Sequence, residues 1–164
     1  WFPNLKVIEA AWYEQYVDGD FRLPFLPAQH WSKRGVSDGG ARLWGSFMIQ
    51  GDGITIYNSG DTGYARHFEE IAGFFFHIDI CMVGIGAYKP RWFKKPNQIS
   101  PYDALTASAE LHAKVTIPMH YGTFDLSDEP LFDPPHVFAA EAKKRGMPVI
   151  IPELGEIIKL QPIR

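Results

Sequence analysis

The sequence predicts an α+β domain built on one mixed sheet with helices on one face. Strand-like runs fill the first third of the chain, helix-like and strand-like runs alternate after that, and glycines and prolines fall at the junctions. A run of strands followed by helix-strand alternation implies an antiparallel meander that turns into αβ units.

The chain has 164 residues, 46% of them hydrophobic and 21% charged, which suits a single domain with a real core. A net charge of -3 with interspersed signs gives no basic stripe, so no nucleic-acid partner is expected. Cys81 is the single cysteine, which excludes an intramolecular disulfide and a thiolate zinc cluster; Ile80, Met82 and Val83 around it predict a buried small hydrophobe. No apolar run is long enough to span a bilayer and no signal peptide is visible. The chain opens on Trp1 rather than Met, so further residues are expected upstream, and the compartment, cytoplasmic or peripheral to a membrane, stays open.

Residues 5–17 are rich in aromatic and β-branched types and predict one or two strands, with a hairpin at Asp18-Gly19-Asp20. The next strand, about 21–28, carries Pro24 and Pro27, which cannot donate to a ladder and therefore predict an edge strand or one leaving the sheet. Residues 41–50 read as a strand, Gly51-Asp52-Gly53 as a tight hairpin turn and 54–58 as its partner. A short helix is expected over 67–72 and a buried strand over 78–83. After Gly84-Ile85-Gly86-Ala87 comes a loop dense in aromatic and basic groups. Ser100 as N-cap and Pro101 in the first turn open a helix to about residue 113, which feeds a strand over 115–119. Pro134-Pro135 starts a last helix that runs through Lys143, Lys144 and Arg145 to Gly146, and 149–152 and 156–160 read as two closing strands. Too few apolar helices remain to cover both faces of such a sheet.

Asp61 lies on the glycine-flanked turn Ser59-Gly60-Asp61-Thr62-Gly63 directly after a strand, and His30 and His120 likewise follow strand-like runs. One carboxylate and two imidazoles at strand ends suit Zn²⁺, Mn²⁺ or Fe²⁺, and an aspartate can bridge two ions. The spacing alone is equally compatible with hydrogen-bonded structural histidines and an ordinary turn. His67, His77, His112 and His136 have no such context and read as structural. Phe74-Phe75-Phe76 reads as core or interface.

Gln29-His30-Trp31-Ser32-Lys33-Arg34, Gly60-Asp61-Thr62-Gly63-Tyr64, Ile85 to Phe93 with Tyr88-Lys89-Pro90-Arg91-Trp92, and His120-Tyr121-Gly122-Thr123-Phe124 occur in this order. Together they closely resemble the N-acylphosphatidylethanolamine-hydrolysing phospholipase D branch of the metallo-β-lactamase superfamily, from about residue 5 to 160. The resemblance implies that residues 1–164 are the C-terminal half of one αββα sandwich domain whose N-terminal half lies outside this chain. It implies that His30 binds one metal, Asp61 bridges two and His120 binds the other, with zinc expected and manganese or iron as alternatives. Asp61 and His120 are accordingly the candidate catalytic residues.

The reaction so implied is metal-assisted hydrolysis of a phosphodiester in a phospholipid-like or amphiphilic small molecule, at or near a membrane surface. Arg91, Arg34 and Lys33 are candidate phosphate ligands, and Trp31, Tyr88, Trp92 and Phe93 candidate walls of an apolar channel, although for the lysines Lys33, Lys89, Lys94 and Lys95 a solvated face is the favoured reading. Two departures stand out: the superfamily's His-x-His-x-Asp-His motif does not occur in these residues, and Gln98 stands where that branch has a histidine. The fragment alone is therefore expected to be inactive. Competing readings are a non-catalytic half-domain that associates with a partner or with itself, and a lactonase-type hydrolase on the same fold.

Overall fold

The computed structural model describes residues 4–159. It contains one six-stranded sheet in the order β1-β2-β3-β4-β5-β6, so each strand pairs with its neighbours in sequence. Strands β1 (Gln15–Asp18), β2 (Phe21–Leu26), β3 (Ser46–Gly51) and β4 (Ile54–Asn58) form an antiparallel meander, and β5 (Ile80–Gly84) and β6 (Val115–Met119) extend it in parallel. Helix α1 (His67–Ala72) links β4 to β5; α2 (Arg91–Lys94) and α3 (Pro101–Glu110) link β5 to β6; α4 (Asp133–Arg145) follows β6. Since β3 reverses the chain once between β2 and β4, strands β2, β4, β5 and β6 all point the same way. Their C-terminal ends therefore share one edge of the sheet.

Local chemistry sets these elements. Asp52 and Gly53 at φ 49° and 72° form the primed turn that β3 and β4 need to twist together. Ser100 accepts the Asp103 N–H and Pro101 follows it, which starts α3; α4 ends at Gly146, φ 65°, after Lys143, Lys144 and Arg145. Met48, Tyr57, Cys81 and Val83 face the helices and are fully buried with Phe68, Ile71, Leu105, Leu111 and Phe138. Burial pushes the Cys81 thiol up to about 12, so it behaves as the inert hydrophobe its neighbours imply.

The opposite face carries two rows, Phe25-Phe47-Asn58-Met82-Ile117 and Ile49-Ile56-Ile80-Val115, aligned by the strand register and apolar except for Asn58. Apart from Ile80, these side chains are half-buried or exposed, Phe47 at 39%. The helices thus cover one face and leave an apolar one open.

Several boundaries differ from expectation. Of residues 5–17 only Gln15 onward is strand, because Tyr13 takes φ 71° and turns the chain. The proline-bearing strand ends at Leu26 and is interior, not an edge; its ladder to β3 skips residues 23 and 24, which accommodates the absent N–H of Pro24. β3 starts at Ser46, because a Cβ at Gly45 would lie 2.5 Å from Leu26 O and from the Phe25 ring, marking a close crossing rather than ladder. The buried strand runs 80–84, shifted past Asp79, whose carboxylate accepts the Thr55 N–H and pairs with Lys114.

Helix α3 stops at Glu110, where His112 enters the left-handed region and the Ala113 N–H returns to Ser108 O. Within 149–152 only Val149 makes a bridge, to Thr116, and 156–159 are not strand; Leu160 of that expected strand lies outside the described residues. Phe75 packs against the core, while Phe74 and Phe76 are exposed. The structural reading of His67 agrees with its burial under the Asp61 turn, described next.

Candidate metal centre

Asp61, the segment after β5 and His120 follow the C-terminal ends of three parallel strands, and His30 follows β2 at the same edge. Such strand ends leave side chains free of the ladder and facing outward, where ligands bind in open α/β sheets. Asn58 Oδ1 accepts the Gly60 N–H at 3.0 Å and the Ser59 N–H bonds to Met82 O at 2.9 Å, which bends the chain sharply after β4. Gly60 sits at φ +55° with its backbone against Gly45 O, and Gly63 is pressed against Pro96, where a Cβ would lie 2.3 Å from the carbonyl oxygen. Asp61 is exposed at the apex of this turn.

His120 occupies a left-handed conformation, φ 58°, uncommon for a residue with a Cβ. The Ile85 N–H bonds to Met119 O at 3.0 Å, and Gly86 approaches so closely that a Cβ there would lie 2.2 Å from His120 O. This packing turns the imidazole across the end of β5, bringing Nε2 to 3.4 Å from Asp61 Oδ1. His30 is tied to the same turn through its neighbour: the Gln29 N–H donates to Thr62 Oγ1 at 2.9 Å and the Gly63 N–H donates to Gln29 O at 2.8 Å. The His30 ring stacks on Trp31, its Nδ1 lies 2.9 Å from Trp31 O, and its Nε2 lies 3.5 Å from Gln98 Nε2.

The donor types suit zinc: two imidazoles and a carboxylate, with the His30 Nδ1 contact leaving Nε2 as the ligating nitrogen. Among the described residues, no group of three or more His, Cys, Asp or Glu gathers in metal-holding geometry. Asp61 and His120 come together, and His30 is joined to the Asp61 turn through the hydrogen bonds of its neighbour Gln29.

The remaining candidates take up different positions. Arg91 donates from Nη1 to Gln98 O at 3.0 Å and from Nη2 to Asp103 Oδ2 at 2.6 Å, bracing the turn that carries Gln98 against the start of α3. Trp92 projects into solvent at 85% exposure, beside the exposed Phe93. Tyr88 is buried; burial, then the carboxylates Asp133 and Glu129, push its phenol up to about 12. The Arg34 N–H donates to Asp38, whose carboxyl is held down to about 2 by the Gly35 N–H, the Arg42 guanidinium and the Arg34 N–H, which braces the loop after His30.

Sequence reasoning missed two residues here. Thr62 is the hydroxyl that joins the His30 and Asp61 loops, and it was visible only as part of a turn. Glu129, buried at 4% exposure, accepts the Tyr88 and Lys89 N–H groups at 2.9 Å each. Burial raises its carboxyl, but the hydrogen bonds from Lys89, Ser127 and Tyr88 outweigh this and hold it below the usual range. No local signal marks Glu129, because its partners lie 40 and 41 residues away.

Known proteins resemble this chain in sequence and fold. The beta-lactamase superfamily domain matches residues 2–121. An N-acyl-phosphatidylethanolamine-hydrolyzing phospholipase D of Caenorhabditis elegans is 37% identical over 102 residues, covering 62% of this chain and 29% of the relative. The mitochondrial enzyme of that name from Saccharomyces cerevisiae is 31% identical over 160 residues, covering 92% of this chain and 34% of the relative. The chain thus spans about a third of the length of these curated relatives. Igni18, a metallo hydrolase from Ignicoccus hospitalis, shares the fold with a TM-score of 0.72 at 23% identity, over 94% of this chain and 60% of that one. The match of this domain over most of the chain's length establishes that the chain belongs to the metallo-β-lactamase superfamily.

Proposed function

We propose that this chain is the C-terminal portion of a metal-dependent hydrolase acting on a phosphodiester in a phospholipid-like or amphiphilic substrate, with two zinc ions in the complete site. The observation that carries the reading is the pairing of Asp61 and His120 at 3.4 Å across the end of β5, with the His30 loop hydrogen-bonded to the Asp61 turn. His30 and His120 would each hold one ion, and the two oxygens of Asp61 would reach both. Bound there, the metal supplies Lewis acidity toward a phosphoryl oxygen and lowers the pKa of a water ligand. Thr62 and Gly63 fix the spacing between the two ligand loops. The Gln98 amide, beside His30 Nε2, can position a substrate oxygen by hydrogen bonding but cannot transfer a proton as an imidazole can. The named activities of the two phospholipase relatives support the substrate class.

The test is metal analysis of the full-length protein together with hydrolysis of bis-p-nitrophenyl phosphate. Stoichiometric zinc and metal-dependent turnover are expected, with Asp61→Asn lowering turnover roughly 100-fold or more. A metal-free protein with no metal-dependent turnover would sink the reading. The open apolar face favours a second reading of the isolated chain, as a half-domain that associates through that face.

A further inference from the structure

The segment between α2 and α3 touches both the His30 loop and the Asp61 turn. Gln29 Nε2, next to His30, donates to Pro96 O at 2.7 Å. The same carbonyl lies against Gly63, where an added Cβ would be 2.3 Å away. Gln98 then brings its side-chain amide to 3.5 Å from His30 Nε2. Lys94 O makes the turn by accepting the Asn97 and Gln98 N–H groups at 2.9 and 2.8 Å, and Ile99, fully buried, anchors its far end in the core.

Arg91 closes this turn. Its Nη1 donates to Gln98 O at 3.0 Å and its Nη2 to Asp103 Oδ2 at 2.6 Å, and that carboxylate oxygen also accepts the Ser100 hydroxyl at 2.7 Å. Ser100 caps α3, whose Ala104, Leu105 and Ala107 are fully buried. The guanidinium therefore ties the main chain of Gln98 to the start of a helix fixed in the core. Both of its terminal nitrogens are directed at protein oxygens, and Asp103 balances the charge that a phosphate would need. A glutamine side chain turns about several bonds, so only a fixed main chain keeps its amide at His30.

We propose that Arg91 is a positioning residue: it holds Gln98 beside His30 through the Gln98 carbonyl, and it does not bind the substrate's phosphate. The assignment rests on the hydrolase reading, in which the Gln98 amide meets a substrate oxygen. Lysine cannot replace this arginine, because a single ammonium lacks the planar fork that spans Gln98 O and Asp103.

The test is a double-mutant cycle in the full-length protein, read as kcat/KM for bis-p-nitrophenyl phosphate, with crystal structures of the wild type and Arg91→Met. Gln98→Ala and Arg91→Met are each expected to lower kcat/KM roughly tenfold, as loss of one hydrogen bond would. Once residue 98 is alanine, Arg91→Met is expected to cost less than about twofold. Arg91→Lys, a milder change on a partly exposed side chain, is expected to be as impaired as Arg91→Met. In the crystal, Arg91→Met should displace the Gln98 amide from His30 by about 1 Å or more. An equal cost of Arg91→Met with and without Gln98, wild-type turnover in Arg91→Lys, or an unmoved Gln98 in Arg91→Met would each overturn the assignment. The first two are what a phosphate ligand gives, since its effect is independent of Gln98 and a lysine serves as a point charge. A wild type without metal-dependent turnover refutes the hydrolase reading, and the crystal structures then decide by themselves whether Arg91 holds Gln98. An active wild type with an unmoved Gln98 in the variant refutes the positioning role alone.

Discussion

The His67 imidazole is buried behind the Asp61 turn, with Nε2 3.3 Å from Thr62 Oγ1 and its ring against Phe68. Burial lowers its pKa from 6.5 to about 4, because a charged imidazole there would lose its water. The folded pKa is below the unfolded one, so between these values the unfolded chain binds more protons and stability rises with pH. The contribution is present above about pH 6.5 and lost as pH falls toward 4, reaching roughly 3 kcal/mol at most. Urea unfolding at intervals from pH 4.5 to 7.5 should show this slope, and His67→Leu should flatten it in that window. An equal slope in both proteins would exclude His67 as the source. Asp79 and Glu129, held below the usual carboxyl range, act in a more acidic window and leave the His67 interval clear.

At the scale of elements, the site depends on how closely the segments leaving β4, β5 and β6 approach one another. Gly86 is the sharpest case, since a Cβ there would sit 2.2 Å from His120 O and 3.2 Å from Tyr121 Cα, both main-chain atoms that cannot rotate aside. Gly86→Ala should therefore destabilise by roughly 1–3 kcal/mol and move His120 away from Asp61. Gly39→Ala is the matched comparison: no atom lies within 4 Å of the added Cβ, and a change within about 0.5 kcal/mol is expected. Denaturant midpoints for the two variants check this, and equal stability would show that the β5 and β6 loops yield easily. Helix α2 takes part in the same construction, because Arg91 on α2 shares Asp103 with the Ser100 cap of α3. From the sequence this stretch reads as loop, since a helix of four residues is too short to show a period.

For the whole molecule, the decisive feature is a six-stranded sheet that, among the described residues, is covered by helices on one face only. Phe25, Phe47, Ile49, Ile56, Met82 and Ile117 present partly exposed apolar surface on the other, which a chain alone in water buries by association. The isolated 164-residue chain should scatter light as a dimer or larger species at micromolar concentration, and Phe47→Lys with Ile49→Lys should return it toward monomer. A monodisperse wild-type monomer would count against the half-domain reading. Much of this architecture was legible in the sequence because its signals are local: Asp52-Gly53 forces a hairpin, Ser100-Pro101 starts a helix, and Gly146 after three basic residues ends one. The spans of α1, β4 and β6 followed for the same reason. The candidate ligands His30, Asp61 and His120 were also legible, as residues that end strand-like runs. Tertiary structure decided the rest. Only strand direction brings the ends of β2, β4, β5 and β6 to one edge, only backbone contact at Gly86 turns His120 onto Asp61, and Glu129 acquires its partners solely through the fold. Propensity and turn chemistry act over a few neighbouring residues, whereas these contacts depend on chain segments far apart in sequence that meet only when the sheet has assembled.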